Sequence, residues 1–472
     1  MEVPQRNPLR LSNRTAGEMR HPHHKSGFST PTLWQTLQPQ ASLSPKQDYL
    51  LGVRGLLTIQ SFLWIYLQTF APTTVKGSLN YSGPALHLVL RKTLSVIFWN
   101  ESLIYSWFII LSARSICIPF MLNLSELSVA SSVFRRGLRL LIPTAVGLSI
   151  VAIVFDHIDM SYIAEFKDVT GNISFEVPYK LPSFVAYMNS VFNLFWVTQN
   201  FASQAGSLAF PGQTLWIVNV LYSQSYTVFM TMVIVPYTRN KWRIKALLLF
   251  ILTAWWVQSW AWFSITGLLI CDMVMNMEFK VHSQRGIRIW KGSRLPSWIL
   301  YLIMMTAGAL MLFIWAAWKP EYENGELRIH AAMYDDRVGL NDHFDLKQPQ
   351  ARADNYLFIV GFLLLLEGSD MMQQIFRFPL LLYLGRRSFG MLPSPSGFQL
   401  LTAVRSMVFG PRHHPLYSWN QACYALANFT RLDRMGLCNY VFSCLFICCS
   451  HFRGNLLQTD RYFITVSCKE HF

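Results

Sequence analysis

Read as a string of apolar and polar positions, the chain alternates long apolar runs with shorter polar, mostly basic segments. The first run, Leu50–Phe70, carries Arg54 as its only charge, and about 20 helical residues suffice to cross a hydrocarbon core of roughly 30 Å. At about 100° per residue, Thr58, Ser61, Ile65 and Gln68 fall within about 40° of Arg54. This helix is therefore expected to turn one polar stripe, interrupted by a single isoleucine, towards protein. Later runs cover Leu94–Leu122, a third helix reaching Phe155, Gln213–Tyr237, Leu247–Asn276 (two short helices broken near Trp262), Trp298–Trp318 and Tyr356–Leu366. Phe184–Trp196 is apolar but is read as lying on or dipping into the membrane surface. The pattern predicts an all-α, polytopic transmembrane helix bundle of about 8 to 10 spans.

Loop charge then sets the expected orientation. Residues 1–48 are polar and basic, with no apolar core of a signal peptide, and are expected to form a flexible cytoplasmic tail. Phe134–Pro143 reads FRRGLRLLIP, and Lys280, Arg285, Arg288, Lys291 and Arg294 crowd a later loop, so both belong on the cytoplasmic side. The loops Ala71–Lys92, Asp156–Gly212 and Lys319–Asp354 then lie outside. The last of these holds eight acids against five bases. From 392 to 472 the apolar pattern stops, and this stretch is read as a divergent, truncated or misread tail.

Composition sharpens the class. The chain has 472 residues, 52% apolar, and only 14% charged, against about 25% in soluble domains. A net charge of +15 would suggest nucleic acid in a soluble chain, but here the basic residues sit in loops between spans and no nucleic-acid partner is expected. Eight cysteines show neither zinc spacing nor a disulfide framework. His21–His24 lack partner ligands, so no metal is expected. Asn80-Tyr81-Ser82 and Asn172-Ile173-Ser174 are N-glycosylation sequons, which fit an endoplasmic reticulum or plasma membrane location.

Several motifs recur in the order of a known family. Leu50-Leu51-Gly52-Val53-Arg54-Gly55, Leu111-Ser112-Ala113, the arginine-rich stretch before Pro143, Leu215-Trp216 with Val220, and Leu380–Met391 resemble acyltransferase family 3 membrane proteins. The resemblance covers about Tyr49 to Met391 and implies an integral membrane O-acyltransferase domain over 49–391. The family's aspartate, histidine and glutamate positions are occupied here by Leu51, Ile65 and Leu221.

The chemistry so implied moves an acyl group from acyl-CoA to a hydroxyl of a sugar, lipid or secondary metabolite, with acyl-CoA as co-substrate and no resident cofactor. It needs a base, an oxyanion donor and cationic contacts for the coenzyme's phosphates. Arg54 and Arg114 are the candidate catalytic residues. Arg135, Arg139, Ser61 and Asn219 are the candidate substrate-binding residues. On a helix Arg135 and Arg139 share a face and can clamp phosphate, or can simply meet lipid headgroups. Histidine is absent from the middle of every span, which leaves His87 and His157 at external ends as bases. The other reading is a non-catalytic transporter, binding protein or scaffold on the same fold, with membrane lipids as partners.

Overall fold

Tyr49–Phe70 is a single helix, α1, and its predicted stripe does face protein: Thr58, Ser61 and Ile65 are buried, with Arg54 partly so. The computed structural model describes residues 47–122, 126–157, 161–198, 200–290, 293–323, 325 and 348–391. The expectations for the first 46 residues, including His21–His24, and for everything after Met391 fall outside that set. After α1 come α2 (Ala85–Lys92), α3 (Ser95–Phe98), α4 (Glu101–Leu122), α5 (Glu126–His157), α6 (Ser161–Thr170), α7 (Phe184–Trp196) and α8 (Ala205–Leu208). They are followed by α9 (Trp216–Ile234), α10 (Asn240–Trp256), α11 (Ala261–Asn276), α12 (Phe279–Arg285) and α13 (Ser297–Ala317). The last described helices are α14 (Ala353–Gly368), α15 (Asp370–Phe376) and α16 (Pro379–Met391). One antiparallel hairpin, β1 (Ile287–Trp290) with β2 (Ser293–Leu295), interrupts the helices in the basic loop before α13.

Among the described residues five stretches are long and apolar enough to cross a membrane: Tyr49–Phe70, Ser95–Leu122, Val129–Ile153, Pro211–Tyr237 and Ser297–Ala317. A sixth is gained if α14 and α15, bent by 105° at their junction, form one span. This is fewer than the 8 to 10 expected. The shortfall lies mainly in Leu247–Asn276, where the chain breaks at 257–260, a little before Trp262. The resulting helices have 17 and 16 residues, short of the roughly 20 needed to cross unaided. Phe184–Trp196 forms α7, 13 residues that bury only Ser190, Val191, Leu194 and Phe195, so it is no span.

Helix α4 is the axis of the bundle. The apolar window that includes it is 83% buried, against 17% for α13, which places α4 among helices and leaves α13 at the periphery. Small residues set the closest approaches. A Cβ on Gly267 of α11 would lie 2.7 Å from the carbonyl oxygen of Ile110 and 3.1 Å from Ala113 Cβ. Helices α13 and α14 meet through Gly308 and Gly361, the latter leaving 2.5 Å to Met305 N for any Cβ. Such small-residue crossings are a common way for helices in lipid to gain contact, since apolar burial alone does not separate helix from tail.

Two polar ends bound the apolar core. At one, Tyr49 meets Glu367 from the end of α14, Asn276 Nδ2 approaches Met121 Sδ at 3.4 Å, and Lys280 pairs with Asp370. At the other, Trp99 Nε1 donates to Thr74 O at 3.1 Å, Asn355 Nδ2 to Ser102 Oγ at 3.2 Å, and Lys76 pairs with Glu323 at 3.3 Å. The loops expected to lie on one side of a membrane are thus gathered at one end. Arg91 there donates to the carbonyls of Asn80 and Ser78 and stacks 4.5 Å from the centre of the Tyr81 ring. Partial burial draws its pKa down from the usual guanidinium value, against the pull of Tyr81.

Candidate functional site

Phe134–Pro143 folds as part of α5, so Arg135 and Arg139 share one face and Arg136 points elsewhere, about 100° from Arg135. Arg136 turns inward. Its Nε donates to Ser225 Oγ of α9 at 3.0 Å and its Nη2 to Ser112 Oγ of α4 at 2.5 Å. Ser225 spends its own proton on Leu221 O at 2.5 Å, so its lone pairs are left to accept from the guanidinium. Ser112 belongs to the Leu-Ser-Ala run and Ser225 to the helix that opens at Trp216, so one arginine joins three helices.

The charge around Arg136 is all of one sign. Arg54 of α1 and Arg139 of α5 lie close enough to oppose it electrostatically, and among the described residues no carboxylate pairs with it. An uncompensated guanidinium about 15 Å, or ten residues, along α5 is costly in lipid. An anion arriving between Arg136, Arg54 and Arg139 would offset that cost. A phosphate suits the planar fork, which presents paired N–H groups to paired oxygens.

The other predicted site residues separate. Arg54 stays with the cluster, and its carbonyl accepts from Thr58 Oγ1 at 2.9 Å. Arg139 is on the exposed side of α5, with Arg135 beside it and partly buried. Ser61 is buried on α1, a turn or two above Arg54. Asn219 is tied up elsewhere: its Nδ2 donates to Val197 O at 2.5 Å, fixing α9 to the end of α7. Arg114 is 1% exposed and pairs with Glu367 Oε1 at 2.5 Å, while Tyr49 Oη donates to Glu367 Oε2 at 2.6 Å. Each carboxylate oxygen meets one of the two partners, so the triad ties α1, α4 and α14 together.

Sequence reasoning missed Arg243, which is buried and pairs with Asp272 Oδ2 at 2.7 Å, with Asn276 on the other oxygen at 2.6 Å. It also passed over Arg136 and Glu367. The legible signals were acids inside or ending apolar runs, Asp272 and Glu367, each of which demands a cation. Of the two histidine candidates, His87 Nδ1 meets Thr73 Oγ1 at 2.8 Å at the far end of the bundle. The side chain of His157 lies outside the described residues. Ile65 and Leu221 are 5% and 4% exposed and belong to the apolar core. Cys117 and Cys271 are buried free thiols. The described residues contain no cluster of metal-ligating side chains. No family model, no curated protein and no solved structure matches the chain.

Proposed function

We propose that the chain is an integral membrane acyltransferase-like protein that moves an acyl group from acyl-CoA to a hydroxyl of a sugar, lipid or secondary metabolite. The observation that carries this reading is Arg136, an inward cation held by two serines with only like charges beside it. Coenzyme A supplies the phosphates such a site would neutralise, and the serines orient the fork before it arrives. The motif order resembling acyltransferase family 3 supports the same donor. In this reading α1, α4, α5, α9, α10, α11, α13 and α14 make eight passes, α10 and α11 crossing as a short, protein-supported pair. The basic end, with the N-terminus, faces the cytoplasm, and the membrane is that of the endoplasmic reticulum or the cell surface.

The buried Ile65 and Leu221 favour a second reading, in which the fold is kept and catalysis is not. The chain then serves as a transporter, binding protein or scaffold for a phosphate-bearing lipid or acyl-CoA. Release of free thiol from a panel of acyl-CoA donors by the purified protein separates the two. The expected result is turnover by the parent, lost in Arg136→Gln. Silence with every donor, together with retained coenzyme A binding, would establish the non-catalytic reading. Thiol release that Arg136→Gln leaves intact would remove the arginine from the site altogether.

A further inference from the structure

At the end of the bundle opposite the basic loops, aromatic rings form a continuous layer. Tyr105 of α4 stands edge-on to Trp64 and Trp216, with centroids 5.7 and 4.7 Å away, and Trp216 lies 6.2 Å from Trp260. The chain of rings continues through Phe263 to Trp262, which stacks on Tyr356 at 4.5 Å. Helices α4 and α11 run parallel here, with Gly267 against Ile110 and Asn276 near Met121. Counting back along both at equal rise brings Tyr105 level with Trp262, with Glu101 one turn before Tyr105 on α4 and Gln258 in the break just ahead of Trp260.

This layer holds polar atoms that nothing among the described residues satisfies. Tyr105 Oη, Trp262 Nε1, Ser264 Oγ and both amide atoms of Gln258 are buried without a hydrogen-bond partner. Their residues are between 0% and 8% exposed. Each such atom costs on the order of 1–3 kcal/mol while unpaired, and native interiors carry few of them. Glu101, in the first turn of α4, has no ion-pair or hydrogen-bond partner among the described residues either. The unpaired set mixes donors (indole and amide N–H, phenol O–H) with acceptors (amide and hydroxyl oxygens, carboxylate). A cation would leave the donors unused and an anion would meet Glu101. A hydroxyl group both donates and accepts, and the C–H faces of a polyol pack on aromatic rings.

From this we infer that the layer around Tyr105, Gln258 and Trp262 is a binding site for a small neutral polyol, with Glu101 accepting one of its hydroxyl protons in a hydrogen bond. The site is distinct from the arginine cluster, since Tyr105 precedes Ser112 by seven residues, or about 10 Å along α4. The inference rests on the acyl-transfer reading only in making this ligand the hydroxylated acceptor. Binding itself requires no turnover.

The test uses the full chain in lipid nanodiscs, because glycoside detergents are themselves polyols. Tryptophan fluorescence is followed while myo-inositol or glycerol is added, for the parent and for Tyr105→Phe/Gln258→Leu. The expected result is a saturable change in the parent with at least one probe, and affinity about tenfold weaker in the variant. The variant's melting temperature should be equal to or above the parent's, because unsatisfied polar groups have been removed. No saturable change with either probe would overturn the inference, as would binding that survives in the variant. A lowered melting temperature would do the same, since those groups would then be structural. Polyol binding without acyl transfer would leave this site standing and remove the acyltransferase reading. Acyl transfer indifferent to the double variant would do the reverse.

Discussion

Gly52 of α1 lies so close to the carbonyl oxygen of Phe376 that no Cβ can be placed between them. Gly55 stands in the same relation to Leu381, and Gly385 of α16 to the carbonyl of Leu51. The glycines of Leu-Leu-Gly-Val-Arg-Gly and of Leu-Gly-Arg-Arg-Ser-Phe-Gly therefore interlock, and two motifs far apart in sequence form one helix crossing. Gly52→Ala and Gly385→Ala are each expected to cost on the order of 1–3 kcal/mol or more, since a methyl meets backbone that cannot yield. Gly137→Ala is the control, because its Cβ would meet only the Tyr222 ring at 3.9 Å. Thermal melting of the purified variants should lower the first two and leave the third unchanged or slightly raised.

The triad of Tyr49, Arg114 and Glu367 makes different predictions for single and double changes. Glu367→Leu strands a buried guanidinium and is expected to cost about 3–5 kcal/mol, whereas Glu367→Leu with Arg114→Met is expected to cost only about 1–3 kcal/mol, that of leaving the Tyr49 hydroxyl without its acceptor. Tyr49→Phe loses one hydrogen bond to a carboxylate, about 1.5–3 kcal/mol. A double-mutant cycle read by melting in detergent checks all three. Equal losses in the single and double variants would show that Arg114 does something other than balance Glu367.

These two sites also mark how far the sequence was legible. Apolar run length located the long helices and the single charge in Leu50–Phe70 located the polar stripe, because both follow from local periodicity. The direction taken by Arg136 did not, since Arg135, Arg136 and Arg139 look alike until α4 and α9 supply the serines that hold one of them. The burial of Arg243 was not legible for the same reason, its partner Asp272 lying on another helix. The break at 257–260 was half legible. Trp255, Trp256, Trp260 and Trp262 favour no particular turn, and the chain's reversal depends on Gln258 taking a positive φ of 56°, which a glutamine does not advertise.

The sequon at Asn172 is closed by the fold. Its side chain is 1% exposed, and Nδ2 donates to Gln68 O at 2.9 Å and Thr69 O at 3.3 Å, capping the end of α1. Asn80 is partly exposed, but its amide oxygen accepts from Ile173 N and Ser174 N at 3.0 and 3.3 Å. The two sequons clasp each other's loops, so at Asn172 the sequence signal for a glycan is a structural clasp. Treatment with an N-glycanase is expected to cause no mobility shift attributable to Asn172, judged by comparison with Asn172→Gln. That variant should also lose about 1–3 kcal/mol of stability through the unsatisfied carbonyls it leaves at the end of α1. A shift that Asn172→Gln abolishes would contradict this placement.

Arg136 separates a ligand site from a structural arginine by the sign of its stability effect. A structural arginine, like Arg114, has a carboxylate, and losing it destabilises the fold. Arg136 has two neutral serines and two like charges, so Arg136→Met removes an uncompensated charge from the bundle and should raise the melting temperature while weakening coenzyme A binding. Ser112→Ala and Ser225→Ala keep the charge and loosen its aim. Each should weaken coenzyme A binding about threefold to tenfold, the worth of one charge-assisted hydrogen bond, with little change in melting. Arg136→Lys retains the charge without the fork and should fall between parent and Arg136→Met in affinity. Calorimetric titration with coenzyme A beside thermal melting reads both quantities on the same samples. If Arg136→Met lowers stability and leaves binding unchanged, the guanidinium is a strut between α4, α5 and α9, and the phosphate site lies elsewhere.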